Sequence, residues 1–449
     1  MKKATLLIAM IFFFSSYAYS IVCPNVPGDD TQCLRECLQE AKNSDKVAEL
    51  YGDFIITGQI VVPQGVVLKG TGAYWGSTIK VTFGEELAYD DRSNGAIVIE
   101  KNVILDGLTF FYSYQTRSGP FKSYPPTVVI AQDSGFQSIK NCFFPNSYTA
   151  IDMTEAHGRV SIFMNQFGAS FRGIRVNRCY DIDRISFNHF NYNIWEVDQS
   201  TWFWLYNNGV ALEAARVDWL WVNNLFVFGY KYGIWLTSTE SGTSGPVEIT
   251  NVGFDMCQRG IFSNVESGPR PWLVSIVNSD FVAGNPSSFL SSNDGIGIEL
   301  VGISQLTLRD NKFWGIRDKA IRLERCEKIT VDSNKISNWN ISGESNPAIL
   351  LESCFSGAVY GNTISNATQG GSGRQGIVLD GSSNIIISLN SVDKAIRNGI
   401  VLKENTQGCI IFGNVGNIIN KSSGNRTISD VPLDRYAIPV QGIVPKPSP

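Results

Sequence analysis

One pattern recurs along this chain and restricts its fold more than any other feature. It runs Gly-Ile-x-Leu, a short turn, then Ile-x-Ile-x-x-Asn-x-Phe. The Asn slot holds Asn141, Asn165, Asn188, Asn224, Val252, Ser279, Asn311, Asn334, Asn362, Asn390 and Asn414. Three residues earlier the chain is apolar, as at Ile162, Ile185, Trp221, Ile249, Ile276 and Leu308. Two residues later stands Phe or an aliphatic, as at Phe143, Phe167, Phe190, Phe281, Phe313 and Ile364. The spacing averages roughly 27 residues, inside the range of about 20–50 that marks solenoid repeats.

Alternation with period two inside each short run specifies strands rather than helices. No long amphipathic helix separates the runs, which excludes βαβ units. A coil of three short strands per turn fits the repeat length. Stacked coils then form parallel sheets with apolar side chains inside. An Asn at the same tight turn of successive coils can bond its own backbone and its neighbours' amides as a ladder. The expectation is an all-β chain, a right-handed parallel β-helix with a short N-terminal capping helix; an Asn-rich β-sandwich fits eleven in-register slots poorly. The composition, 43% hydrophobic and 17% charged, supplies a core and excludes a disordered chain. The net charge of −4 lacks the basic footprint of a nucleic-acid binder.

The termini divide the 449 residues further. Lys2 and Lys3, the apolar run at 5–14 and Ala18-Tyr19-Ser20 have the form of a signal peptide over 1–20. A membrane anchor is the alternative, though the run is shorter than a span of about 20 residues. Residues 21–72 form an N-terminal cap and entry module, 73–420 the β-helix, and 421–449 a tail rich in Ser, Pro and Gly. Within the cap, Asp30 or Thr31 can start a helix whose Leu34, Cys37, Leu38 and Ala41 share one face and seal the first coil. Nine cysteines at wide spacing suggest neither a disulfide framework nor a zinc site. A corner slot five residues beyond the Ile of each Gly-Ile strand holds Ala156, Cys179, Ala215, Thr239, Ile303, Cys326, Cys354, Ser382 and Asn405. Cys326 and Cys354 are expected there as stacked, buried, free thiols. A disulfide is expected from Cys23 to Cys33 or Cys37.

Gly28-Asp29-Asp30-Thr31, the short helix and then Pro63, Gly65, Val66, Leu68, Gly70 and Gly72 resemble the entry module of the pectate-lyase-like superfamily. That superfamily includes rhamnogalacturonase, polygalacturonase and tailspike proteins. The resemblance implies the β-helix fold and a substrate groove along the outside of the Gly-Ile strands. It does not carry catalysis over. Asn278-Ser279-Asp280 lies at the Asn turn rather than on the Gly-Ile strand, and Ala156-His157-Gly158 lacks the first Gly of the polygalacturonase motif.

In Gly-Ile-x-Leu-x the x positions point outward. The first outward column is expected to contain Asp152, Arg175, Ala211, Trp235, Phe262, Glu299, Arg322, Leu350, Val378 and Val401. The second contains Thr154, Asn177, Glu213, Thr237, Asn264, Val301, Glu324, Glu352, Asp380 and Lys403. Coils lie about 4.8 Å apart, so Glu324, Glu352 and Asp380 should stack, with Glu299 and Arg322 beside them. Like charges so close favour one protonated carboxyl, a general acid, and paired carboxylates are the usual glycosidase arrangement. These five residues form the first catalytic candidate, against the alternative of a solvated face balanced by Arg322 and Lys403. Asp152, Arg175, Glu213 and Trp235 form the second.

Two coils are enlarged just before the Gly-Ile strand. Residues 191–207 carry Trp195, Trp202 and Trp204, expected as partly exposed rings that stack on sugars; a hydrophobic plug is the alternative. Residues 282–296 carry Asn293 and Asp294. Trp219 and Trp221 fall in expected core slots, and His157 and His189 on the surface. The expected function is a secreted, periplasmic or cell-surface enzyme acting on a polysaccharide, either glycoside hydrolase or lyase. The alternative is a non-catalytic carbohydrate-binding or adhesion protein. No metal, cofactor, nucleic-acid partner or mature membrane span is expected, although acids near the groove could bind calcium through oxygen.

Overall fold

The computed structural model describes residues 20–428, apart from 46, 73, 182, 241, 283–294, 342–345, 366–374, 394–395 and 397. Among the described residues every third strand pairs in parallel, giving three long sheets of 16, 14 and 13 strands. The chain is a right-handed parallel β-helix. One coil shows the pattern. Arg172–Asn177 carries Gly-Ile and belongs to the 14-stranded sheet, Asp183–Ser186 to the 16-stranded sheet, and His189–Asn191 to the 13-stranded sheet. Ile174, Val176, Ile185 and Phe190 are buried inside, while Arg175 and Arg184 alternate outward.

The repeated Gly and the repeated Phe explain one another. Phe144, Phe167 and Phe190 stack through the core with ring centroids 5.1 and 4.2 Å apart, and Phe254, Phe281 and Phe313 repeat the stack at 5.1 and 4.7 Å. A Cβ on Gly173 would lie 2.1 Å from the Phe190 ring, and one on Gly260 would lie 2.6 Å from Phe281. The missing side chain is the space the ring occupies.

The Asn ladder forms as two runs. Asn334 is typical: its Nδ2 donates to Leu308 O (3.1 Å) and to Asn362 Oδ1 (3.0 Å). Its Oδ1 accepts from the backbone N and the Nδ2 of Asn311, both at 3.0 Å. Asn165 and Asn188 make the same bonds. Asn141 and Asn224 do not occupy the slot. Both adopt positive φ one residue earlier, and the buried Cys142 and Leu225 take the inward place. The same one-residue shift turns Trp221 outward, because Val222 pairs with Ile185. Trp219 and Trp221 are therefore not core residues; Trp219 is exposed and Trp221 half-buried.

At the corner, side chains donate to the previous coil's carbonyls. Cys326 Sγ reaches Leu300 O (3.4 Å), Cys354 Sγ reaches Leu323 O (3.4 Å), and Ser382 Oγ reaches Leu351 O (3.0 Å). Cys326 and Cys354 are buried free thiols, as expected. Ser244 and Thr406 fill corner places expected for Thr239 and Asn405. A short antiparallel hairpin, Ser238–Thr239 with Gly242–Thr243, displaces the first.

Helix α1 spans Thr31–Ser44 and buries Thr31, Leu34, Cys37, Leu38 and Ala41 over the first coil. Its start is tied by Asp29 rather than by an Asp30 side-chain cap: Asp29 Oδ1 accepts from Thr31 N at 3.0 Å. Asp30 instead accepts from Ile55 N (2.7 Å), joining the cap to the coil. Cys23 pairs with Cys37, Cα atoms 5.5 Å apart. At the other end Arg426–Ile428 still pairs with Ile410–Phe412, so coil pairing runs past residue 420. Residues 1–19 of the expected leader, 1–20, lie outside the described residues, and Ser20 pairs with Val47 in the first strand. Among the described residues no helix is long and apolar enough to cross a membrane.

Candidate functional site on the Gly-Ile sheet

The outward face of the 14-stranded sheet carries one continuous column. In register it runs Asp152, Arg175, Glu213, Trp235, Phe262, Glu299, Arg322, Leu350, Val378, Val401. One residue departs from expectation. Leu212, not Val210, pairs with Ile174, so Glu213 replaces Ala211 in this column and lies directly between Arg175 and Trp235. The Gly209-Val210 dipeptide imitates the repeat, but it closes α2 (Gln199–Asn208), whose insertion shifts the frame by two.

The second column holds Glu324, Glu352 and Asp380 on consecutive coils, as expected. Their neighbourhood is different from a bare acid ladder. Arg322 reaches into it and bonds Glu299 (2.6 Å), Glu324 (2.7 Å) and Glu352 (2.7 Å). Arg259 adds a second partner for Glu299, Arg325 one for Glu324, and Lys403 one for Asp380. A cation therefore stands between carboxylates that were expected to repel one another. The outward residues beyond it, Leu350, Val378 and Val401, are buried with Ile419 packed against them.

The upstream cluster is more enclosed. Asp152 is fully buried, between Arg92 (3.3 Å) and Arg175 (3.6 Å). Glu213 is nearly buried, against Arg172 (2.6 Å) and Arg175 (3.6 Å). Burial pushes the Glu213 carboxyl up from the ordinary carboxylate range, with Arg172 and Arg175 opposing and Asp152 reinforcing the shift. Beside the cluster three polar atoms are enclosed without a hydrogen-bond partner: Thr154 Oγ1, Asn177 Oδ1 and Trp235 Nε1. A cleft lined by Asn177, Arg178, Thr239 and Glu240 opens next to them. Tyr232 stacks on Phe262 at 4.4 Å and lies 5.6 Å from Trp235, so an aromatic floor separates the two charged clusters.

The wall beside this face is a packed ridge, not a row of free rings. Trp195 and Trp202 are buried, which corrects the expected exposure; Trp204 alone of the three is partly open. Asp198 caps α2 through Thr201 N (2.9 Å), and Thr201 Oγ1 bonds Arg117 O and Gly119 O. Trp204 then packs on Phe121, Tyr148 and Phe171, and Tyr89 on Tyr148 and Phe171. Two further loops, 82–96 and 113–126, thus join the ridge. They supply Tyr89 and Arg92, and neither they nor Arg172 were marked by the repeat, because they lie between repeats or at a strand's first position. The loop with Asn293 and Asp294 lies outside the described residues. His157 is exposed and His189 half-buried, and among the described residues no three His, Cys, Asp or Glu are placed to hold a metal ion.

The three sheets and this face define a parallel β-helix protein. The chain matches the family described as "Right handed beta helix region" over residues 242–372 and 297–430. It is similar to the pre-mature gene product 12 of bacteriophage phi29, at 13% identity and a TM-score of 0.63, covering 91% of this chain. This chain spans 55% of that protein's length. It is also similar to DFA-IIIase from Arthrobacter chlorophenolicus A6 in complex with GF2, at 11% identity and a TM-score of 0.56, covering 82% of this chain and 94% of that one. No curated protein matches the chain by sequence. At these identities the likeness is one of fold.

Proposed function

We propose that this chain is an extracytoplasmic polysaccharide-acting protein whose substrate crosses the Gly-Ile sheet at Arg175, Glu213 and Trp235. The observation that carries the reading is the enclosed, unpartnered Thr154, Asn177 and Trp235 atoms beside a carboxyl with a raised pKa. Buried polar atoms ordinarily have partners, and a ligand's hydroxyls would supply them. Glu213 serves as the general acid, its carboxyl pushed up from the ordinary carboxylate range by burial. Asp152 stands two coils away, roughly 10 Å along the backbone, near the wider carboxyl spacing of inverting hydrolysis. Arg175, held by Asp152, orients the substrate. Trp235 and Phe262 offer the ring faces on which a sugar stacks. The Cys23–Cys37 disulfide supports an oxidising compartment, as the expected leader does. The structural likeness to a DFA-IIIase supports the same reading, as an enzyme built on this fold.

A second reading, a carbohydrate-binding protein without turnover, is favoured by the complete burial of Asp152. Incubation with a polysaccharide panel separates the two. New reducing ends mean hydrolysis, and the ultraviolet absorbance of an unsaturated uronate means a lyase. Glu213→Gln should lower turnover by roughly 10²–10⁴-fold while binding persists. Glu324→Gln and Glu352→Gln should leave turnover near wild type. Loss of activity in those two, with Glu213→Gln active, would move the site to the acid ladder. Binding by the wild type with no product from any substrate would establish the second reading.

A further inference from the structure

The corner leading into the 16-stranded sheet carries a feature that the groove does not use. Each strand there is preceded or opened by a residue at positive φ: Gln305 (67°), Lys328 (50°), Ser356 (60°) and Asn384 (57°) in the C-terminal coils. Polar or small side chains suit that conformation. At the same register position an earlier coil places Trp219, φ 67° and 46% exposed. Bulky side chains recur at this position, Phe136 (φ 66°, 48% exposed) and Leu273 (φ 49°) as well as Trp219, although the backbone disfavours a ring there. Trp221 meets Trp219 edge-on, centroids 6.5 Å apart, under the Arg184 guanidinium at 5.1 Å. Two coils on, Trp272 is 44% exposed and its ring lies over Gly245, where a Cβ would come within 2.8 Å of the indole. Tyr180, 45% exposed, lies under Arg216 at 4.8 Å. Trp221 Nε1 and Arg216 Nη1 are enclosed donors without a hydrogen-bond partner.

We propose that Trp219, Trp221, Trp272 and Tyr180 form an aromatic platform that docks a polysaccharide chain on a face distinct from the Gly-Ile sheet. The platform rests on the preceding section for its class of ligand alone, and needs nothing from Glu213. Trp219 and Trp272 stand two coils apart, roughly 10 Å along the axis, so successive rings of one extended chain can meet successive indoles. The Arg184 and Arg216 guanidinium groups and the Trp221 N–H are donors, complementary to hydroxyl and carboxylate oxygens. Such a surface would hold the protein on an insoluble polymer while the groove acts on another segment.

The test is retention of the full chain on immobilised pectin, alginate, xylan and cellulose. Trp219→Gly suits the positive φ and keeps the fold while removing the ring; Trp272→Ala removes the second. The wild type should be retained on at least one matrix, and the double variant should lose at least tenfold in affinity. Glu213→Gln should bind as the wild type does, and turnover of a soluble oligosaccharide should survive the double variant, so the platform and the groove fail separately. Retention of the wild type on none of the four, or equal retention of the double variant, overturns the proposal. So does a wild-type dimer in sedimentation that the double variant dissolves, because a second copy would then cover the face.

Discussion

Asp183 gives the sharpest test of how this coil handles buried charge. Its side chain is fully buried at the start of a strand in the 16-stranded sheet; Oδ1 accepts from Val160 N (3.1 Å), and Oδ2 has no partner. Burial pushes its carboxyl up to about 7, the Val160 hydrogen bond opposing and Asp181 adding to the rise. A carboxyl raised in the folded state stabilises the fold fully below its unfolded pKa of about 3.9, and that contribution is lost as pH rises toward the folded value. A shift of about three units corresponds to about 4 kcal/mol between pH 4 and pH 8. Local opening of the corner limits what the whole solenoid registers, since each coil contacts its neighbours alone. Asp183→Asn keeps an acceptor for Val160 and removes the titration. Its stability relative to wild type should therefore climb between pH 4 and pH 7 and level off above. Urea midpoints and exchange of the Val160 amide, each followed across that range, supply the measurement. Parallel pH profiles for wild type and variant would show that Asp183 is ionised in the fold and that burial does not govern it.

Two further perturbations probe the stack. Asn334→Ala leaves buried partners on two adjoining coils unsatisfied and should cost about 3–5 kcal/mol, whereas Asn414→Ala, at the half-open end of the ladder, should cost about 1–2 kcal/mol; equal losses in chemical denaturation would contradict a ladder whose strength depends on burial. Of the seven free cysteines Cys33 alone is partly exposed, so a thiol reagent should label one group quickly in the native chain and seven after unfolding; rapid native labelling of Cys326 or Cys354 would place those thiols outside the corner.

The fold was legible because its rule is periodic. Gly173, Phe190 and Asn188 each occupy positions that only stacked coils require, and every coil repeats the requirement. The same regularity made the Glu324–Glu352–Asp380 ladder readable from position alone, while helical spacing in the cap gave α1 and left Cys33 or Cys37 as the partner of Cys23. Legibility failed where a residue satisfied the pattern in the wrong frame. Asn224 has the right identity one place early, because the turn itself favours Asn at positive φ. Val210 follows a Gly, but that Gly ends a helix. Tyr89, Arg92 and Arg172 stayed hidden because long-range packing, not spacing, brings them to the sheet.

The two charged clusters differ in what they leave unmet. Arg322 has Nε, Nη1 and Nη2 each bonded to a different carboxylate, on Glu352, Glu299 and Glu324. Nothing in that geometry calls for another molecule, and a guanidinium so engaged pins three adjacent coils in register much as the Asn ladder does at the opposite turn. Around Glu213 the balance is different. Arg172 and Arg175 approach its carboxyl closely enough for ion pairing, yet Nε of both and Oε2 of Glu213 lack well-aligned hydrogen bonds, and Thr154, Asn177 and Trp235 add uncompensated atoms along the same face. Each enclosed polar atom without a partner costs about 1–3 kcal/mol, so several in one patch are retained against stability. Residues that cost the fold energy and cluster at a cleft are the ones a ligand would repay, which supports the proposed role of Glu213 over one for the acid ladder.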